Sequence, residues 1–178
     1  MFVVLLTGPP GAGKSAVLTS LHDALGDADV SAVALEVDEV SRAYPPPAAE
    51  LALAHVGSLC RSFRAAGYGL MLLSATVETS AHLRALLDAA GADERLIVRL
   101  EALPATLEQR LAAREPVGWS GLPALIAASH RLASSMVTLD GIDLVLSTED
   151  EAPEQVAAKV EAALRDAPRR GPRVASTG

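Results

Sequence analysis

Residues 7–15 read Thr-Gly-Pro-Pro-Gly-Ala-Gly-Lys-Ser, and the chemistry open to such a run is the holding of phosphate. Glycine at Gly8, Gly11 and Gly13 lets the backbone take positive φ and curl its N–H groups into a concavity for an anion, closed by the N-terminus of a following helix. Lys14 then reaches the β and γ phosphates of a nucleotide, and Ser15 offers its hydroxyl to a Mg²⁺ ion that bridges them. The spacing Gly8-x4-Gly13-Lys14-Ser15 matches the P-loop pattern in full. An apolar run, Met1 to Leu6, precedes it and an Ala/Leu-rich stretch follows, which is the strand-to-helix context the pattern requires.

A second group of chemically able residues ends the next apolar run, VALEVDEV at 33–40. On a strand of period two, Glu36 and Asp38 face one way and Val37 the other. At the C-terminal edge of a parallel sheet that face opens on the crevice where ligands of open α/β sheets bind. The third apolar run, LMLLSATVET at 70–79, passes Ser74, Ala75 and Thr76 with no carboxylate before Glu78. P-loop proteins that hydrolyse ATP to drive motion place an acidic residue there to hold Mg²⁺ and orient water. Its absence favours transfer to an acceptor over hydrolysis.

These residues need a scaffold, and the hydrophobic pattern supplies one. Apolar runs alternate with amphipathic Ala/Leu-rich segments, the pattern of strands and crossover helices in a parallel α/β sheet. Strands are expected at Phe2 to Thr7, Val30 to Val37, Leu70 to Ala75, Leu96 to Glu101 and Ile142 to Ser147. Helices are expected at Lys14 to Leu25, Ala48 to Ala66, Thr79 to Ala90, Ala105 to Arg114, Leu122 to Val137 and Pro153 to Arg165. Pro104, Pro153 and Thr79 are start signals, and Gly67 and Gly91 are stops. Pro45-Pro46-Pro47 breaks any helix begun at Glu39, and the loop 115–121 separates two helical patterns.

A chain of 178 residues with 50% hydrophobic content suits one domain with a sizeable core, here residues 1–166, and 167–178 lacks an apolar face and is expected to be disordered. A net charge of −7 argues against a nucleic-acid partner, which calls for a basic stripe. The single cysteine, Cys60, sits in an apolar helical run as a small buried hydrophobe and permits no intramolecular disulfide. The first apolar run is too short for a signal segment, and none approaches the roughly 20 residues that span a bilayer. A cytoplasmic protein without a membrane partner is expected.

The phosphate loop, the acid-x-acid after the second apolar run, the missing acid on the third and the later LEQRLAARE together resemble the small P-loop kinases of metabolites and nucleotides. Within that group the chain is similar to the shikimate and gluconate kinases, the adenylylsulfate kinases and the chloramphenicol phosphotransferases. The resemblance covers the chain to Arg165. It implies an α/β P-loop fold, three layers around a five-stranded parallel sheet of order 2-3-1-4-5, and transfer of the γ-phosphoryl of ATP, with Mg²⁺, to a hydroxyl of a small metabolite or antibiotic. Gly8, Gly11, Ala12, Gly13, Lys14, Ser15 and Ala16 would then bind the nucleotide, with Thr148 near the adenine.

Asp38 matches the carboxylate that faces the acceptor hydroxyl in these kinases. Such a group accepts the hydroxyl proton and aligns the oxygen, or holds Mg²⁺ through water; the competing reading is a solvated acidic turn that caps the next helix. Glu36 either joins the site or flanks it. Arg42 occupies the place of an acceptor-binding arginine, and a surface role is the alternative. His55, Arg61 and Arg64 lie on the helix that often lines the acceptor pocket. Arg110 and Arg114, one turn apart, match the arginines that clamp ATP phosphates when the lid closes, and Arg131 is a lesser candidate. The lid is only the loop to Gly121, a departure from long-lid adenylate kinases; its Trp119 either covers a ring of a ligand or anchors the hinge. A nucleotide-binding switch or ATPase accessory protein is the alternative function.

Overall fold

The computed structural model describes residues 1–40 and 42–167; most of the expected disordered tail, 168–178, lies outside the described residues. Five strands form one wholly parallel sheet: β1 (Phe2–Thr7), β2 (Val33–Glu36), β3 (Leu70–Ala75), β4 (Glu94–Glu101) and β5 (Leu144–Ser147), in the order β2-β3-β1-β4-β5. The helices are α1 (Lys14–Asp27), α2 (Val37–Val40), α3 (Ala49–Ala65), α4 (Ser80–Ala90), α5 (Pro104–Arg114), α6 (Leu122–Ser135) and α7 (Pro153–Asp166), with a 3₁₀ turn at Met136–Thr138 after α6.

Strands buried on both faces read as continuous apolar runs, and the two faces feed two cores. Val4, Leu72 and Val98 pack with Val17 and Leu21 of α1 and Val156 and Val160 of α7. Leu5, Leu73 and Ile97 pack on the other face with Val56 and Cys60 of α3 and Leu83 and Leu86 of α4. Helix starts follow local chemistry: the Thr79 side chain accepts the His82 N–H at 3.1 Å, and Pro104 and Pro153 occupy first turns. Gly91 ends α4 in the left-handed conformation, with φ 64°. Among the described residues no helix is long and apolar enough to cross a membrane.

The expected sheet order is the observed one, but the second strand differs in a way that matters. It begins at Val33 rather than Val30, because Val30 is still tied to the end of α1 through the Leu25 carbonyl, at 2.8 Å. It stops at Glu36, whose partner on β3 is Ser74. Val37 is buried as the first residue of the short helix α2, and Asp38 and Glu39 stand in its first turn, where the partial positive charge of a helix start favours carboxylates. Asp38 is therefore not a strand residue, and it shares a cleft with Glu36 through a change of backbone direction rather than by the period of two. Smaller differences are β4 starting at Glu94, β5 starting at Leu144 and α6 giving way to 3₁₀ geometry at Met136.

Candidate functional site

The phosphate loop spans the gap between β1 and α1 at the C-terminal edge of the sheet. Gly8, Gly11 and Gly13 take φ values of 151°, 86° and 83°. A Cβ on Gly8 would lie 2.4 Å from the Leu100 carbonyl oxygen, and one on Gly11 would lie 2.9 Å from that of Leu107. The loop thus lies directly against the end of β4 and against α5. We expect Gly8→Ala to lower stability by about 2–4 kcal/mol through strain and collision, with nucleotide binding lost in parallel. Urea denaturation and a binding titration check it; a fully stable variant with intact binding would contradict the close approach.

Four consecutive carbonyls of this loop are each held from outside. Lys14 Nζ donates to those of Gly8 (2.9 Å) and Pro9 (3.2 Å), Ser129 Oγ of α6 to that of Pro10 (2.7 Å), and Arg110 Nη1 of α5 to that of Gly11 (3.3 Å). These side chains fix the shape of the turn, within which the Ala12 N–H also bonds the Pro9 carbonyl at 3.1 Å. The start of α1 has no side-chain cap and no acidic residue in its first turn, so its N–H groups are open to an anion. Ala12 is fully buried beneath the loop, and Ala16 lines the cleft.

Burial is the main force on the Lys14 ammonium and pulls its pKa from 10.5 to about 8; Arg114 adds to the fall, while Asp38 and Glu36 oppose it. Because the folded chain gives up this proton earlier than the unfolded one, apo stability gains with rising pH between about 8 and 10.5. Polyphosphate restores the proton. Nucleotide affinity should therefore fall by up to about tenfold per pH unit above about 8, with uptake of one proton on binding. Calorimetry in buffers of different ionisation enthalpy reads that proton directly, and a flat affinity from pH 7 to 10 would contradict it.

The loop forms one wall of a cleft of about 690 Å³. Ser15 Oγ donates to Glu36 Oε2 at 2.6 Å, which places two oxygen donors side by side next to the loop. Hard oxygen ligands of this kind would suit Mg²⁺. Asp38 faces the same cleft, 3.5 Å from Thr76 Oγ1, and Ser74, the penultimate residue of β3, lines it. Arg42 also lines it, paired with Glu39.

Arg110 and Arg114 both line the cleft from α5. The Arg110 guanidinium bonds Thr148 through Oγ1 (2.9 Å) and the carbonyl (2.7 Å), so the loop, α5 and the segment after β5 meet at one side chain. Thr148 is nearly buried, and its methyl lies 4.0 Å from where a Gly13 Cβ would sit. Arg114 instead pairs with Glu115 at 2.6 Å.

Other sequence candidates fall elsewhere. Arg64 binds the Gly91 carbonyl and Asp93 at the opposite edge of the sheet, beside the start of β4, and Arg61 lies near Gly57 on the flank facing α4. His55 and Arg131 are exposed and do not line the cleft. The Trp119 ring lies against Gly121, where an added Cβ would sit 2.3 Å from it, and it is folded into its own loop rather than over the cleft.

Sequence reasoning missed Ser129, fully buried among helix residues, and Glu149. The Glu149 carboxylate accepts from Thr106 Oγ1 and from the Leu103 N–H (3.0 Å), bonds that hold its pKa below the usual value, and so fastens the segment after β5 to the start of α5. No local pattern marks either residue, since both partners are distant in sequence.

The AAA domain family AAA_33 matches residues 3–126 of the chain. No curated protein matches it. Among solved structures it is similar to a sugar kinase from Janibacter sp. HTCC2649, at 18% identity and TM-score 0.68 over 93% of this chain and 95% of that one. It is similar also to the Mycobacterium tuberculosis APS kinase in complex with AMPPNP and APS, at 20% identity and TM-score 0.65 over 92% and 96%. The Acinetobacter baumannii shikimate kinase in complex with shikimate aligns at 18% identity and TM-score 0.54 over 92% and 93%. With a phosphate loop at the sheet edge, a short helix after β2 and an arginine-bearing α5 in place, the chain belongs to the AAA domain family and has the fold of the small P-loop kinases.

Proposed function

We propose that this protein is an ATP- and Mg²⁺-dependent phosphotransferase that moves the γ-phosphoryl group to a hydroxyl of a small molecule. One observation carries the reading: Lys14 and the Asp38 carboxylate face a single cleft, near enough for Asp38 to raise the pKa of the Lys14 ammonium, while Ser74 of β3, beside Glu36, stands there without a carboxylate. The cation side suits the phosphates and the carboxylate suits a hydroxyl placed against them.

In this mechanism the loop N–H groups and Lys14 hold the β and γ phosphates, and Arg110 and Arg114 approach from α5 as charge spreads over the transferring oxygens. Ser15, with Glu36 beside it and Asp38 in the same cleft, would hold Mg²⁺, which would supply positive charge to offset that of the phosphates. Asp38 accepts the proton of the acceptor hydroxyl and aligns its oxygen. A new O–P bond forms as the bond from the γ-phosphorus to the bridging oxygen breaks, and ADP leaves. Arg42 borders the acceptor, Thr148 the base, and residues 1–166 form one catalytic domain.

The test is the fate of the phosphate. ADP release that depends on an added hydroxyl compound, with phosphorylated product in equal amount and little free phosphate, is the expected result. Brisk hydrolysis by the protein alone, unaffected by any acceptor, would replace this reading with that of an ATPase accessory protein or switch.

A further inference from the structure

The cleft is lined by four carboxylates, Glu36, Asp38, Glu39 and Glu115, and by four cations, Lys14, Arg42, Arg110 and Arg114. Every one of the cations is already engaged: Lys14 by the Gly8 and Pro9 carbonyls, Arg110 by Gly11 and Thr148, Arg42 by Glu39 and Arg114 by Glu115. Glu36 and Asp38 instead bond the hydroxyls of Ser15 and Thr76. Arg64, one of the α3 residues expected to line an acceptor pocket, is bound to Gly91 and Asp93 at the opposite sheet edge. A phosphate, sulfate or carboxylate entering here would have to detach one arginine from its carboxylate, and would then lie beside that uncovered carboxylate as well as Glu36 and Asp38. Closing of Arg114 onto nucleotide phosphates makes the imbalance larger, because Glu115 loses its partner. A neutral hydroxyl compound meets neither obstacle, and an ammonium group is attracted.

Resting on the phosphotransferase reading above, we infer that the acceptor is a neutral or aminated hydroxyl compound, and that the carboxylates lining the cleft, its cations being already engaged, reject acceptors bearing phosphate, sulfate or carboxylate. Asp38 receives the hydroxyl proton, Ser74 and Thr76 supply hydrogen bonds to further hydroxyls, and Glu115, once Arg114 has left it, is the carboxylate that an amine would meet.

Two measurements test this. In the first, wild-type protein saturated with Mg²⁺ and AMPPNP, so that the phosphate loop is filled, is titrated with sodium sulfate at constant ionic strength and followed by NMR. The expected result is no saturable binding in wild type and its appearance, at least about tenfold tighter, in Glu39→Gln, which releases Arg42. Saturable sulfate binding to wild type that Arg42→Ala removes would overturn the inference, whatever the acceptor proves to be. In the second, pools of anionic, neutral and aminated hydroxyl compounds are assayed for ADP release with product formation. Transfer to a member of the neutral or aminated pool supports the inference. Transfer to an anionic member overturns it and leaves the phosphotransferase reading standing, whereas acceptor-independent hydrolysis removes both.

Discussion

Lys14→Ala is expected to leave a folded protein whose phosphoryl transfer falls by about three orders of magnitude or more. In the proposed phosphotransferase the ammonium acts where charge develops on the transferring phosphoryl group, in a partly buried site where a lost cation is not replaced by water. The structure adds a second consequence. Nζ is bonded to the Gly8 and Pro9 carbonyls, so the alanine variant also frees two carbonyls that shape the cradle. Affinity for ATP should therefore weaken together with turnover, rather than turnover alone. Lys14→Met keeps the aliphatic stem and loses only the donors, and it should match the alanine variant in rate to within a few-fold. Steady-state kinetics with thermal melts as the folding control give the answer. Turnover and ATP affinity close to wild type in either variant would remove the phosphate role of Lys14.

Asp38→Asn is expected to lower turnover by about two to four orders of magnitude while ATP affinity stays within a few-fold. The amide keeps the shape and the contact with Thr76 but cannot accept the acceptor proton. Because Asp38 also raises the pKa of Lys14, its replacement should move the pH above which nucleotide affinity declines to a lower value. That second readout separates a group inside the cleft from a carboxylate that only favours the start of α2. A turnover within a few-fold of wild type, with the pH profile unmoved, would reduce Asp38 to the latter.

Much of the frame was legible in the sequence because its signals are local. The five strands, their order and the loop between β1 and α1 follow from apolar runs, glycine spacing and the P-loop resemblance. The boundary after β2 was not legible in the same way. VALEVDEV alternates well enough to be read as one strand, yet the edge strand finds its last partner at Ser74 and two acidic residues favour a helix start. The two carboxylates reached one cleft all the same, through a change of backbone direction rather than through the period of two. Arg64 failed for another reason: position along a helix does not say which end of the sheet a long side chain will reach, and Asp93 with the Gly91 carbonyl claimed it. Ser129 and Glu149 were invisible because their partners, Pro10 and Thr106, are brought near only by the completed fold.

The grip on the phosphate loop has one more consequence. Pro10 and Gly11 are held by residues of α6 and α5, the two helices that carry the short loop 115–121 between them. Any movement of this helical pair that opens or closes the cleft must therefore alter the partners of those carbonyls, and with them the aim of the N–H groups on the opposite side of the same peptides. A small molecule bound beside Asp38, touching no phosphate, would be felt in the nucleotide affinity whenever it shifts the pair. Linkage makes the effect mutual: the factor by which the acceptor changes the dissociation constant of ATP is the factor by which ATP changes that of the acceptor.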